Sequence, residues 1–254
     1  MSAHPLARLV FLLALVAGFL AGCTNSDEPP LPAAVVSDAP PLSIPAGRWR
    51  AVLIAGDNSS PAFDNGIDTL RERIAGMGVR AITIFSASPG RGRLSTAGNI
   101  EAGLRAGGGD ACFVYMTSHG DRSGFFLRPG REMLSPAALD GALSQGCGER
   151  PTVVVVSACH SGTFITPQAR RPNRIIIAAA ATERTSFGCG ADNDYTYYDQ
   201  CFLQQLDGAS TWRELAEATR ACVQTLEQRL GVRRESRPQL FVGAAVANLK
   251  LPGR

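Results

Sequence analysis

Two short stretches carry the residues of this chain that could do chemistry. One runs from Val153 to Gly162, four valines followed by Ser157, Ala158, Cys159, His160, Ser161 and Gly162. The other runs from Ala111 to Asp121, an apolar segment that closes on Thr117, Ser118, His119 and Gly120. A thiolate is a strong nucleophile, and an imidazole beside it can take or return its proton near neutral pH. Cysteine is also among the residues most often buried for packing alone, and a loop histidine by itself usually has no task. Placement separates these readings. Cys159 and His119 each stand just past the end of a β-prone run, and in open α/β sheets sites form beyond the C-terminal ends of the strands. As neighbours, the two strands would deliver thiol and imidazole side by side.

The elements that must do this positioning are visible as patterns. Besides Cys112 to Thr117 and Thr152 to Ser157, β-prone runs occur at Ala51 to Ala55, Ala81 to Phe85, Arg174 to Ala180 and Leu240 to Val246. Helical spacing links Ile67, Leu70, Ile74 and Met77, with Gly78 as the stop. Ile100 and Leu104 follow the capping residues Ser95 and Thr96, and Ser135-Pro136 opens a helix through Leu139 and Leu143 to Gly146. The longest helix joins Trp212, Leu215, Thr219, Cys222, Leu226 and Leu230, with Thr211 and Glu214 spaced as a capping box and Gly231 beyond its end. Strands alternating with helices imply parallel pairing and right-handed crossovers. The expected class is α/β, three layers, one sheet with helices on both faces.

Composition limits the function. With 254 residues, 45% of them apolar, the chain can bury one full core. Its net charge is only +3, Lys250 is its single lysine, and its arginines are scattered, which excludes the basic stripe that nucleic acid requires. The N-terminus has Arg8, an apolar run from Leu9 to Leu20 and small residues before Cys23, the layout of a secretory signal. Leu20, Ala21, Gly22 and Cys23 resemble the bacterial lipobox, which implies lipidation of Cys23 and a lipid membrane as partner. Residues 1–22 are then a signal peptide, 23–46 a lipidated cysteine with a flexible Pro-rich tether, and 47–254 the folded domain. Such a chain is exported and anchored at the periplasmic side or cell surface; Thr24, in place of the Asp that signals inner-membrane retention in many double-membraned bacteria, favours the outer membrane.

The combination of S-H-G after one strand and A-C-H-S-G after another resembles the legumain-type cysteine endopeptidases, relatives of the caspases. The stretch from Val52 to Asp68 is similar to their first strand and following loop, and Ala178 to Cys189 to their fifth strand and its loop. The resemblance covers most of residues 48–205. It implies a caspase-like fold, a six-stranded sheet in order 2-1-3-4-5-6 with the last strand antiparallel. It also implies cleavage of protein or peptide substrates through an acyl-enzyme, or transpeptidation in some relatives. By position Cys159 is the nucleophile, His119 the acid and base, and the N–H groups of Gly120 and Cys159 the oxyanion hole. The substrate pocket falls on Asp64, Ser157 and Ser186. No cofactor is implied, and His119, Asp121, Cys159 and His160 lack zinc spacing.

Departures from the family pattern matter as much. Legumains carry an Asn where this chain has Ala62, an Arg at Asp64 and an acidic residue at Ser157. A buried carboxylate in place of a pocket Arg favours a basic substrate side chain, Arg or Lys, since an unpaired buried charge is costly. The competing reading has Asp64 cap a helix that starts near Asn65. The missing Asn favours a binding lipoprotein without activity, and Ser161 offers a serine hydrolase, although Cys159 stands where G-x-S-x-G needs its first Gly. Pro167 to Arg174, with three arginines, is either a self-cleavage site or a solvated loop. Of seven cysteines, Cys112 and Cys147 stand on one edge of the sheet and can bridge; Cys189, Cys201 and Cys222 offer a second bridge and one spare thiol.

Overall fold

The computed structural model of the protein describes residues 40–190 and 192–254. The expected signal, Cys23 and most of the tether lie outside the described residues. Leu42 already pairs with the far end of the chain: its N–H donates to Asn248 and its carbonyl accepts from Lys250, at 3.1 and 2.9 Å. Leu42 and Ile44 pack on the core, so the packed domain takes in residues ahead of the expected start at 47.

In chain order the elements are β1 (Trp49–Ala55), α1 (Pro61–Gly76), β2 (Ala81–Ser86), β3 (Arg93–Leu94), α2 (Ala97–Arg105), β4 (Ala111–Thr117), β5 (Gly120–Asp121), β6 (Gly124–Leu127), β7 (Glu132–Leu134) and α3 (Pro136–Gly146). β8 (Thr152–Ser157), β9 (Arg174–Ala178), α4 (Tyr197–Leu206), α5 (Trp212–Arg229) and β10 (Gln239–Val242) complete the fold. The main sheet runs β10-β9-β8-β4-β1-β2-β3, parallel throughout except for β10, which is antiparallel to β9. The expected order is present, but the sheet has seven strands and not six. Arg93 and Leu94 add an edge strand on Phe85 and Ser86, and a two-residue strand has no period for a sequence to show.

Alternation explains the layers. Val153 and Val155 of β8 enter the core with α1, α4 and α5, while Val154 and Val156 enter the opposite core with α2 and α3. A strand buried on both faces reads as a continuous apolar run, which is what four valines are. Each fully buried valine contributes about 1.5–3 kcal/mol relative to exposure, so the strand behind Cys159 is a rigid base. Helix α5 has the expected Thr211–Glu214 capping box. Helix α1 begins earlier than Asn65: Ser60 is its cap, accepting from the Ala62 N–H at 3.2 Å, which overturns the capping reading of Asp64.

Two disulfides, Cys112–Cys147 and Cys201–Cys222, tie β4 to the end of α3 and α4 to α5. Among the described residues no helix is long and apolar enough to cross a membrane.

Candidate active site

Register brings the two chemical stretches together. β4 and β8 are adjacent and parallel, with Thr117 opposite Ser157. His119 and Cys159 therefore leave the same edge of the sheet from neighbouring strands. Both line one narrow cleft, enclosing about 220 Å³ of empty space, with Ser157, Ser186, Phe187 and Thr196. A wider groove, enclosing about 900 Å³ of empty space between Thr69 and Arg73 of α1 and Gln200 and Gln204 of α4, holds neither thiol nor imidazole.

The turn that presents Cys159 is built from the sequence that follows it. His160 adopts the left-handed conformation, φ 57° and ψ 16°, and reverses the chain into a short 3₁₀ helix, Ser161–Phe164. The His160 N–H donates to the Arg184 carbonyl and the Gly162 N–H to that of Ala180, both at 2.8 Å. A Cβ at Gly162 would lie 2.7 Å from the Thr182 nitrogen, so only glycine permits this approach. Ser161 is fully buried, its Oγ accepting from the Ala180 N–H at 3.0 Å. That excludes Ser161 as a nucleophile, because it is a brace between the turn and the end of β9.

The Cys159 thiol is half-buried and hydrogen-bonded to one residue: the Ser186 N–H donates to Sγ at 3.3 Å, and Sγ donates to the Ser186 carbonyl at 3.5 Å. Burial pushes its pKa up, against the pull of the Ser186 N–H, so the resting group is a thiol that needs a base. His119 supplies an imidazole held edge-on against Phe63, ring centroids 5.3 Å apart at 78°. Gly120 lies directly against the Cys159 turn: a Cβ there would be 2.8 Å from the Cys159 carbonyl oxygen.

The expected pocket residues divide. Ser157 and Ser186 line the cleft. Asp64 does not; it is buried behind β2, accepting from Ser86 and Ser88 hydroxyls, each at 2.6 Å, with Arg91 3.9 Å away. Ala62, in the first turn of α1, is fully buried and presents no polar group. In the loop after the 3₁₀ helix, Arg174 is buried in an ion pair with Asp140 and Arg171 pairs with the same carboxylate, which leaves Arg170 as the exposed arginine.

Asp199 was not expected from the sequence. It is fully buried and accepts from the Tyr115 and Thr117 hydroxyls of β4, each at 2.7 Å. Its own N–H donates to Thr196, whose hydroxyl meets that of Ser157 at 3.4 Å. Asp199 therefore stands one hydroxyl layer behind the cleft wall, and burial raises its pKa despite the hydroxyls around it. The signal was present in Thr196 and Asp199, a helix cap and its first turn, followed by Cys201, Phe202 and Leu206 at helical spacing.

The model of the Peptidase C13 family matches residues 91–234, a span that contains His119 and Cys159. The chain belongs to the Peptidase C13 family. It is accordingly a cysteine-type peptidase of the legumain kind, a hydrolase acting on protein or peptide substrates. Among solved structures, caspase-1 from Spodoptera frugiperda is similar over 83% of this chain and 92% of that one, with TM-score 0.58 and 12% identity. At that identity the likeness shows the fold: the three-layer caspase-like α/β architecture. No curated protein matches.

Proposed function

We propose that this peptidase works through a Cys159–His119 dyad, as an endopeptidase held at a membrane by acylated Cys23. The observation that carries the dyad is the register of β4 on β8, which places both side chains in one cleft. His119 takes the Cys159 proton, and the thiolate attacks the scissile carbonyl. The oxyanion so formed faces the N–H groups of Gly120 and Cys159, where fixed donors lower the barrier. His119 then protonates the leaving amine, and water, activated by the same imidazole, releases the acid from the thioester.

For the residue on the acyl side, Asp64 gives little support, since both its oxygens are occupied by serines. A preference for Arg or Lys rests instead on Asp199, the carboxylate behind Ser157 and Thr196, whose charged form a cation entering the cleft would favour against the burial that disfavours it. The anchor rests on the lipobox-like residues before Cys23.

The test is a peptide library varied on the acyl side, read with wild type and Cys159→Ala. Cleavage after Arg or Lys, absent in the variant, supports dyad and preference together. Cleavage after neutral polar residues keeps the dyad and removes the role of Asp199. No cleavage by folded, reduced wild type moves the protein to the binding lipoprotein that Ala62 suggests. Detergent partitioning of the full chain against Cys23→Ala tests the anchor: the variant should shift to the aqueous phase.

A further inference from the structure

Cys189 lines the same cleft as Cys159 and has no part in the mechanism above. Of the cysteines among the described residues, Cys112, Cys147, Cys201 and Cys222 are in disulfides, while Cys159 and Cys189 are free and half-buried. Both thiols face one narrow cleft, whose wall they share with His119 and Ser186. The segment that carries Cys189 is also the one that grips the nucleophile, through both backbone groups of Ser186. The disulfides at Cys112–Cys147 and Cys201–Cys222 mark a domain that matures where thiols are oxidised. A free thiol pair in one cleft meets the same oxidants.

We propose that Cys159 and Cys189 form a redox pair, in which Cys189 converts oxidised Cys159 into a reversible disulfide that silences the peptidase and spares its nucleophile. This rests on the reading of Cys159 as the nucleophile. In the first step the Cys159 thiolate attacks a hydroperoxide; the O–O bond breaks, the sulfur is oxidised to a sulfenic acid, and the other oxygen leaves as water or alcohol with the proton that His119 took from the thiol. In the second, the Cys189 thiolate attacks that sulfur, the S–S bond forms, and the hydroxyl leaves as water with a proton from the cleft. One hydroperoxide is consumed and two thiols become one disulfide. A dithiol reductant reverses the change by exchange through a mixed disulfide.

The physical case for Cys189 as partner is competition. A sulfenic acid without a nearby thiol goes on to the sulfinic state, which dithiols do not reduce. A second thiol in the same cleft acts at a high effective concentration, so disulfide closure outruns the next oxidation. His119 matters to both outcomes, because only the thiolate reacts and burial favours the thiol.

The experiment treats the folded wild type and Cys189→Ser with a small excess of hydrogen peroxide, alkylates the remaining thiols, and maps the peptides by mass spectrometry. Activity is followed before and after dithiothreitol. In wild type the Cys159 and Cys189 peptides should appear joined, two hydrogens lighter than the pair. Activity should fall about tenfold or more and return with dithiothreitol, as expected for a reversible state on the oxidation ladder. In Cys189→Ser the Cys159 peptide should gain two or three oxygens, and its loss of activity should persist. Cys189→Ala, compared by circular dichroism, guards against a folding defect in the serine variant. Wild type in which Cys159 gains oxygens while Cys189 is alkylated as a free thiol would overturn the proposal. The mapping needs no turnover: a joined pair in a protein that cleaves nothing would refute the nucleophile and leave the redox pair standing.

Discussion

Replacing Gly120 by alanine tests whether Cys159, the proposed nucleophile, is held by the close contact between β5 and the turn that carries it. Gly120 has no left-handed φ, so an alanine meets no backbone penalty and only space decides. The added Cβ would lie 2.8 Å from the Cys159 carbonyl oxygen, 3.1 Å from the Ala158 Cβ and 3.1 Å from the Gly124 carbonyl oxygen. None of these atoms belongs to a flexible side-chain end. The tightest gap must open by about 0.5 Å to reach the ~3.3 Å of a close carbon–oxygen contact. Overpacking of this kind costs about 1–3 kcal/mol of stability. A misplacement of about 1 Å at a catalytic group costs roughly a hundredfold in rate, so half of that predicts a loss of about tenfold in kcat/KM. Thermal unfolding and kcat/KM on the best library peptide measure the two effects, and the rate of Cys159 alkylation by iodoacetamide reports the thiol without turnover. Gly141→Ala is the control, since nothing lies within 4 Å of that Cβ and it sits inside α3. That variant should keep its kcat/KM and gain up to about 1 kcal/mol from helix propensity. A Gly120→Ala protein with wild-type stability and wild-type kcat/KM would show that the contact does not position Cys159.

Ser161→Ala should lose about 1–3 kcal/mol, because the buried Ala180 N–H loses its acceptor; its activity per folded molecule should survive, whereas Cys159→Ala abolishes it. Asp199 has a raised pKa in the folded state, so its stabilising contribution is complete below its unfolded value of about 3.9 and is lost as pH rises through the folded value. Asp199→Asn should therefore raise the melting temperature at pH 8 relative to wild type, with the advantage narrowing toward pH 4, as read by melts across that range. Removing the Cys112–Cys147 bridge, which spans 35 residues, should cost about 4 kcal/mol in the chain-entropy account, measured by denaturant titration of the double serine variant.

The fold was legible where burial dictates pattern. The six long strands and four of the helices announced themselves because an apolar run or a 3.6-residue stripe is a direct imprint of a buried face. The elements that were missed leave a weaker imprint. β3 has two exposed residues, and β5, β6 and β7 form a small three-stranded sheet of short strands at the active-site end. They owe their existence to the strands they pair with, and a pairing energy leaves no periodicity in so short a segment. Helix α4 was missed for another reason. Its residues Tyr197, Tyr198, Cys201 and Phe202 favour strands or are neutral, and packing against Tyr115 and α5 overrides that preference.

The meeting of Cys159 and His119 in one cleft was legible because it follows from strand register, and register follows from two continuous apolar runs being neighbours. The pocket was not, because side-chain direction at a helix start depends on where the helix begins. With α1 starting near Asn65, Asp64 is a cap or a free carboxylate at the cleft. With Ser60 as the cap, Asp64 falls one turn inside the helix and turns to β2, where Ser86 and Ser88 satisfy it. The same boundary puts Phe63 on the other side, against His119. A shift of four residues in one helix start thus exchanges an acidic pocket for an aromatic wall. The acid that does stand behind the cleft, Asp199, comes from α4: its carboxylate accepts from Tyr115 and Thr117, and its backbone N–H donates to Thr196, whose hydroxyl meets Ser157 at the cleft wall. The proposed selectivity for a cation would then act through the hydroxyls of Thr196 and Ser157. Thr196→Val should weaken cleavage after Arg or Lys more than after neutral residues, by about tenfold for one lost hydrogen bond of a charged chain. Equal losses on both peptides, read as kcat/KM, would mean that Asp199 only braces β4 and α4.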